Sequence, residues 1–241
     1  MTKIFGHRGA SGYAPENTLE AFELAAKQGA DGVELDVHIS RDGELVVAHD
    51  ETIDRVSDGT GLIAEQTLKE LRQYRFNRTH PEFRDATIPT LREVFELLKP
   101  YGIMINIELK NSRIWYDRLE EKVVQLADET GMREKVIYSS FNHRSMMHLK
   151  EIDASLPCGL LYEATMFEPW VYAESLHADA IHPHFSEILV KDEVEKAHAS
   201  GLQVNVWTVN EEQDIRMCLD AGVDILIGNF PDRALRIRDG K

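Results

Sequence analysis

Residues 32–50 read GVELDVHISRDGELVVAHD, and apolar Val33, Leu35, Val37 and Ile39 alternate with Glu34, Asp36, His38 and Ser40. A period of two predicts a β-strand with one oily face and one polar face. Alone, the pattern fits equally an antiparallel strand with one solvated side. Short apolar runs recur along the chain at 3–8, 103–109, 135–141, 157–162 (the weakest), 179–185, 202–209 and 224–229, with 44–50 as a possible continuation of the second. Amphipathic helical patterns lie between them at 17–29, 90–100, 115–131, 186–201 and 211–222, several closing on Gly as helix C-termini do.

Strand and helix in alternation imply parallel strands, and eight such strands in 241 residues predict a closed (β/α)8 barrel of TIM type. Residues 50–89 are too long and irregular for one strand-to-helix loop. They are expected to form an insertion after the second strand, folded over one end of the barrel. No repeat, linker or low-complexity segment marks a boundary, so one domain over 1–241 is expected.

A barrel sharpens the meaning of the alternation. Val33, Leu35, Val37 and Ile39 suit the helix layer, which turns Glu34 and Asp36 inward. Barrel interiors are normally filled with branched apolar side chains, and paired acids buried there are costly unless they bind a cation or hydrogen-bond fully. The run IMINIELK repeats the device, with Ile103, Ile105, Ile107 and Leu109 on one face and Asn106, Glu108 and Lys110 on the other. Glu34, Asp36 and Glu108 are therefore expected to converge as metal ligands. Three carboxylates without a softer donor suit a hard divalent cation, Mg²⁺ or Ca²⁺, better than zinc.

Composition narrows the partners. The 27 Lys and Arg against 42 Asp and Glu give a formal charge of −15, which argues against nucleic acid or an anionic membrane as the main partner. A small anionic substrate stays open, provided local cations or a metal reverse the general field. No apolar run approaches the length of a membrane span and the N-terminal residues lack the pattern of a signal peptide, so no stable membrane insertion is expected and a soluble, cytoplasmic protein is. Cys158 and Cys218 are far apart and form no metal-binding pair, and are expected to be small apolar fillers. Oligomeric state is left open by these patterns.

Candidate chemistry gathers at strand ends. FGHRGASGYAPENT places His7 and Arg8 at the end of the first strand, followed by Gly9 and Gly12, where backbone can approach a ligand closely. Arg8 is suited to a bidentate grip on phosphate oxygens. VVAHD sets His49 at a comparable height just before the insertion. Two histidines flanking a metal-held phosphodiester could divide an in-line displacement, one deprotonating the nucleophile and one protonating the leaving oxygen.

HRGASGYAPENTLEAF, ELDVHISRDGELVVAHD, IELK, NVWTVN and IGNFPD, in this order over essentially the whole chain, resemble the glycerophosphodiester phosphodiesterase family. The resemblance implies a TIM-type barrel, one Mg²⁺ or Ca²⁺ ion, and hydrolysis of glycerophosphodiesters to sn-glycerol 3-phosphate and an alcohol. It implies His7 as the acid on the leaving alcohol and His49 as the base, Glu34, Asp36 and Glu108 as metal ligands, and Arg8 and Lys110 as phosphate-binding cations. It also implies the insertion after His49, and attack by the glycerol 2-hydroxyl as one route beside direct attack by water.

Other residues carry weaker expectations. Trp207 is either the aromatic residue that the resemblance implies beside the substrate glycerol or a core side chain. Asn17 is expected to cap the first helix, and Glu16 either to cap it or to reach the metal. His38 is expected near the rim behind the ligands, His182 and His184 to be structural, Phe141 and Asn142 to line the pocket, and Asp224, Asn229 and Asp232 to fix loops. Two alternatives compete with the leading function: a lysophospholipase D, which would favour an exposed apolar entrance or an anchor that the sequence does not display, and a non-catalytic phosphodiester-binding protein.

Overall fold

The computed structural model describes residues 1–189 and 192–241. Its centre is a ring of eight parallel strands: β1 (Lys3–His7), β2 (Gly32–Ile39), β4 (Met104–Leu109), β5 (Val136–Ser140), β6 (Cys158–Tyr162), β7 (Ala180–Pro183), β8 (Gln203–Val206) and β9 (Ile225–Gly228). β1 pairs with both β9 and β2, which closes the sheet into the (β/α)8 barrel expected from the alternation. Helices α1 (Leu19–Lys27), α3 (Leu91–Leu98), α4 (Leu119–Thr130), α5 (His143–Ile152), α6 (Pro169–Ser175), α7 (Glu193–Ala199), α8 (Glu212–Ala221) and α9 (Pro231–Arg238) follow the barrel strands.

The parity inferred for β2 holds. Val33, Leu35, Val37 and Ile39 are buried in the large apolar layer with Phe22, Leu91, Val94 and Phe95 of the surrounding helices. The inward face of the barrel differs at its two ends. Phe5, Ile137, Ile225 and Ile227 form an apolar plug with Met104 and Trp207 against it. Gly32 makes room for that plug, because a Cβ there would stand 2.6 Å from the Phe5 ring.

Residues 44–50 do not continue the second strand. The chain reverses at Gly43, whose φ of +88° suits glycine, and β3 (Leu45–Val47) returns antiparallel to β2. Residues 50–89 then pack beside the β2–β3 turn with their own apolar cluster, in which Ile53, Val56, Ile63, Leu71, Phe76 and Ile88 are buried with Val46 and Ala48. Its short helix α2 (Leu68–Leu71) starts with a capping box between Thr67 and Glu70.

Besides the one-turn α2, three helices around the barrel went unread in the sequence. α5 presents only Ser145, Met146 and Leu149 to the core, α6 is short and starts at a proline, and α9 buries only Pro231, Ala234 and Leu235 among charged residues. The stripe on α5 is no thinner than that on α8, which buries only Ile215 and Cys218, so narrowness alone does not set the unread helices apart. The stretch 115–131 starts as helix only at Leu119, since Arg118 takes a left-handed φ of 60° and leaves Trp115 and Tyr116 in a loop. The stretch 186–201 divides into a 3-10 turn, Phe185–Leu189, and α7; Val190 and Lys191 lie outside the described residues.

Candidate active site

Register assembles the acids. β1 sets His7 opposite Glu34, and β2 sets Glu34 opposite Asn106 and Asp36 opposite Glu108. All of these point into the barrel near its C-terminal mouth, the end where barrels of this type carry their chemistry. Glu34, Asp36 and Glu108 are buried and offer carboxylate oxygens within 4.8 Å of one another, a spacing at which one cation can touch all three.

The electrostatics of the trio support that use. Burial first, then the charges of Asp36 and Glu108, raise Glu34 well above the usual carboxylate range. Burial likewise raises Glu108 to about 7, against the pull of Lys110. For Asp36, burial is outweighed by Lys110, His49, Arg8 and Asn17, which together hold it well below its ordinary value. Its Oδ1 is buried without a hydrogen-bond partner, while Oδ2 accepts from Asn17 Nδ2 at 2.8 Å. A buried orphan carboxylate oxygen beside two acids that repel it fits a divalent cation.

The cations expected beside the phosphate are present on the same floor. Lys110 Nζ lies 2.7 Å from Glu108 Oε1 and 3.5 Å from Asp36 Oδ1. Arg8 takes a left-handed φ of 55°, which turns its backbone N–H onto Glu34 Oε2 at 2.9 Å. Its side chain donates to Glu16 Oε1 at 2.8 Å and passes 3.6 Å from Asp36 Oδ2.

Each histidine is gripped from behind. His7 Nδ1 lies 2.8 Å from Asn229 Oδ1, an acceptor, so Nδ1 carries the proton and Nε2 is left 3.9 Å from Glu34. Asn229 is held by Ser11 Oγ and by its own backbone N–H, which donates to Asn210 Oδ1. Burial, reinforced by Arg8, lowers His7 to about 4. His49 Nδ1 lies 2.6 Å from Asp50 Oδ1. Burial opposes ionisation of Asp50, but Arg55 and His49 outweigh it and hold the carboxyl at about 2. The charged carboxylate fixes the Nδ1–H tautomer of His49 and leaves Nε2 as the acceptor.

His7, Arg8, Glu34, His49, Asn106 and Glu108 line a pocket of about 70 Å³ together with Phe141, Leu161, Trp207, Thr208 and Ile227. Trp207 follows β8 rather than lying within it, and its Nε1 donates to the His182 carbonyl at 2.9 Å. Its ring meets Phe141 and His184 edge-on, at 5.5 and 5.4 Å between centroids. Half-buried, it packs against the apolar cluster of the barrel interior and also lines the pocket.

Several secondary expectations change. Asn17 does not cap α1: Thr18 does, accepting from Ala21 N–H, while Asn17 holds Asp36. Glu16 bridges Arg8 and Arg55. His38, lowered to about 4 by burial, donates from Nε2 to the His49 carbonyl at 3.2 Å and lies 3.0 Å from the Tyr116 hydroxyl, so it anchors the backbone of His49. Asn229 orients a histidine rather than only a loop. Asn142 caps α5, accepting from Arg144 N–H, and Asp224 accepts from Val204 N–H as a loop-fixing residue should. Burial and the neighbouring Asp232 carboxylate raise the Tyr13 hydroxyl above its ordinary value. His182 is buried against Asn205, at 2.8 Å, in space that Gly159 leaves for its ring. Cys158 and Cys218 are buried free thiols. Asp50 and Arg55 carried no signal beyond adjacency to the His49 motif.

A carboxylate trio, two cations and two oriented histidines around one barrel mouth define a phosphodiester-cleaving type of site. The chain matches the glycerophosphoryl diester phosphodiesterase family over residues 7–233. It is 39% identical over 237 residues to a glycerophosphodiester phosphodiesterase of Caldanaerobacter subterraneus subsp. tengcongensis, covering 98% of this chain and 97% of that one. A glycerophosphodiester phosphodiesterase of Bacillus altitudinis is 39% identical over 244 residues, covering 99% of both chains. Among solved structures, a phosphodiesterase of Oleispira antarctica in complex with the product sn-glycerol-3-phosphate superposes with a TM-score of 0.87 at 31% identity, over 99% of this chain and 97% of that one. The chain therefore belongs to the glycerophosphodiester phosphodiesterase family and is an enzyme of that class.

Proposed function

We propose that this enzyme hydrolyses glycerophosphodiesters to sn-glycerol 3-phosphate and an alcohol by acid and base catalysis with His7 and His49, in a metal-dependent site. The observation that carries this is the matched orientation of the two rings: both line one pocket, each with Nδ1 engaged behind it, by Asn229 and by Asp50. Glu34, Asp36 and Glu108 would hold the cation, Mg²⁺ or Ca²⁺, which supplies positive charge that orients the phosphate and offsets charge growing on its oxygens. Arg8 and Lys110 bind the same phosphate from the protein side.

His49, kept as the Nδ1–H tautomer, accepts the proton of the attacking hydroxyl at Nε2. His7 donates from Nε2 to the departing alcohol oxygen. Burial keeps the free His7 ring neutral near pH 7, and the negative charge of a bound phosphodiester beside Nε2 favours its protonated form. Trp207 and Phe141 form the apolar wall against which carbon atoms of the glycerol or the alcohol pack.

The test is release of sn-glycerol 3-phosphate from glycerophosphocholine by metal-stripped protein, before and after addition of Mg²⁺ or Ca²⁺, with His7→Ala beside it. Release that needs both the ion and His7 supports the proposal. Release surviving without either overturns it. Following the reaction by ³¹P NMR separates the two routes, since attack by the glycerol 2-hydroxyl passes through a cyclic phosphate and attack by water does not.

A second substrate class, lysophospholipids, gains support from one observation. Apolar side chains stand exposed beside the mouth: Phe141 in the pocket wall, with Phe167, Val171 and Tyr172 on the next strand-to-helix connection and its helix. Choline release from a short-chain lysophosphatidylcholine, measured in the same assay, decides between them. No helix among the described residues is long and apolar enough to cross a membrane. A cytoplasmic setting, with small-molecule substrates, is part of the proposal.

A further inference from the structure

Arg55 belongs to the insertion and touches neither the carboxylate trio nor the pocket, yet its guanidinium ties together groups from both sides of the mouth. Its Nε donates to Asp50 Oδ2 at 2.7 Å and its Nη2 lies 3.2 Å from Asp50 Oδ1. Nη1 and Nη2 also donate to Glu16 Oε2 and Oε1, at 2.7 and 2.8 Å. Asp50 in turn holds His49 Nδ1, and Glu16 holds Arg8 Nη1. The result is one chain of contacts, Arg8–Glu16–Arg55–Asp50–His49.

We propose that Arg55 is a positioning residue for the hydrolysis: it locks the carboxylate that orients His49 to the carboxylate that orients Arg8, so that base and phosphate clamp keep a fixed separation. This rests on the proposed function, in which His49 is the base and Arg8 binds phosphate.

The geometry suits that role. A guanidinium presents a rigid planar fork, so two carboxylates gripped by one fork are held relative to each other. Without it, the Asp50 side chain would turn freely and carry the His49 ring with it. The arginine itself is set by a firm base. Ile53 and Val56 on either side are buried in the insertion cluster, Ser57 N–H donates to the Ile53 carbonyl at 3.0 Å, and Arg78 Nη1 donates to the Asp54 carbonyl at 2.6 Å. The insertion thus contributes a fixed point to the residues behind the catalytic floor.

Stability is not what this network supplies. The Arg55 side chain is 43% exposed, and ion pairs so open to solvent contribute little to folding. Orientation is a different matter, because misplacing a reacting group by about 1 Å can cost on the order of 10²-fold in rate.

The test compares Arg55→Met, Arg55→Lys, Asp50→Asn and the double variant Arg55→Met with Asp50→Asn, on the metal-loaded enzyme with glycerophosphocholine. Arg55→Met should lower kcat by about 10- to 100-fold with an unchanged thermal midpoint. Arg55→Lys should recover only part of the loss, since an ammonium cannot span both carboxylates as a planar fork does. The double variant should be no slower than the slower single, because both break the same link. A direct readout is the ¹⁵N NMR signal of the His49 ring: one Nδ1–H tautomer in the wild type, an averaged signal in Arg55→Met.

Wild-type kcat and an unchanged ring signal in Arg55→Met would overturn the inference, as would a loss of rate that merely follows a fall in thermal midpoint. If His49→Ala keeps full activity, the role of His49 as base is what fails. The ring signal still decides whether Arg55 positions it.

Discussion

The two ends of the barrel interior are built from the same strands and obey opposite rules. At one end, Phe5, Ile137 and Ile225 pack as an apolar plug that Ile227 carries up to the pocket wall, with Gly32 left small to admit the Phe5 ring. At the other, the next inward positions of those strands and their neighbours are His7, Glu34, Asp36, Asn106 and Glu108, and an oxygen of Asp36 and one of Asn106 lie buried without a partner. The plug stabilises the barrel by removing apolar surface from water. The charged end costs stability, since each acid is desolvated beside two others, a cost of the kind that functional sites carry and that a cation held by the three would offset.

That contrast can be broken at either end. The largest effect belongs to the mouth: His49→Ala should lower kcat for glycerophosphocholine by about 10²- to 10⁴-fold while the thermal midpoint stays at the wild-type value, checked by steady-state kinetics beside a melting curve. At the plug the roles exchange. Phe5→Ala should cost about 3–5 kcal/mol of unfolding free energy, read from the urea midpoint, and leave the activity of the folded fraction intact.

A third measurement probes the polar layer between the ends. His182 is fully buried and held to about 3 by burial, so the folded protein keeps it neutral. The unfolded chain binds a proton below a pKa of about 6.5, and the stability this residue contributes is therefore fully present above that pH and lost as the pH falls from there toward 3. The slope is about 1.4 kcal/mol per pH unit, or about 2 kcal/mol between pH 6.5 and 5. His182→Asn should flatten the pH dependence of the urea midpoint by that amount.

The smallest effect sharpens the comparison most. Glu34→Gln removes one of three mutually repelling acids, and metal-stripped Glu34→Gln should be more stable than metal-stripped wild type by about 0.5–2 kcal/mol. The rise in melting temperature that Mg²⁺ or Ca²⁺ produces in the wild type should then shrink or vanish. A destabilised Glu34→Gln would mean that its hydrogen bond from Arg8 N–H outweighs the repulsion.

Much of the plan was legible along the chain. The alternation in β2 and β4 assigned each side chain to a face, and the strand ends marked His7, Arg8 and His49. Periodicity is a property of the covalent chain, so it survives without knowledge of neighbours. Helix α6 escaped because it is short and α9 because charged residues dominate its local pattern, whereas the buried face of α5 is no narrower than that of α8. The reversal at Gly43 escaped because a run of apolar residues does not record its direction.

The choice of partners belonged to the tertiary structure. Asp36 stands level with Glu108 only through the register of β2 on β4. Asn229, 222 residues from His7, reaches it only because β9 closes the barrel against β1. Asn17 turned from a helix cap into a brace for Asp36, and Arg55 joined Glu16 to Asp50, through contacts that no spacing encodes. The sequence by itself determined which groups face inward and what chemistry they can do, since parity and residue type are local. Which group holds which, and at what distance, was decided by register and closure, because those arise only when all eight strands pair at once.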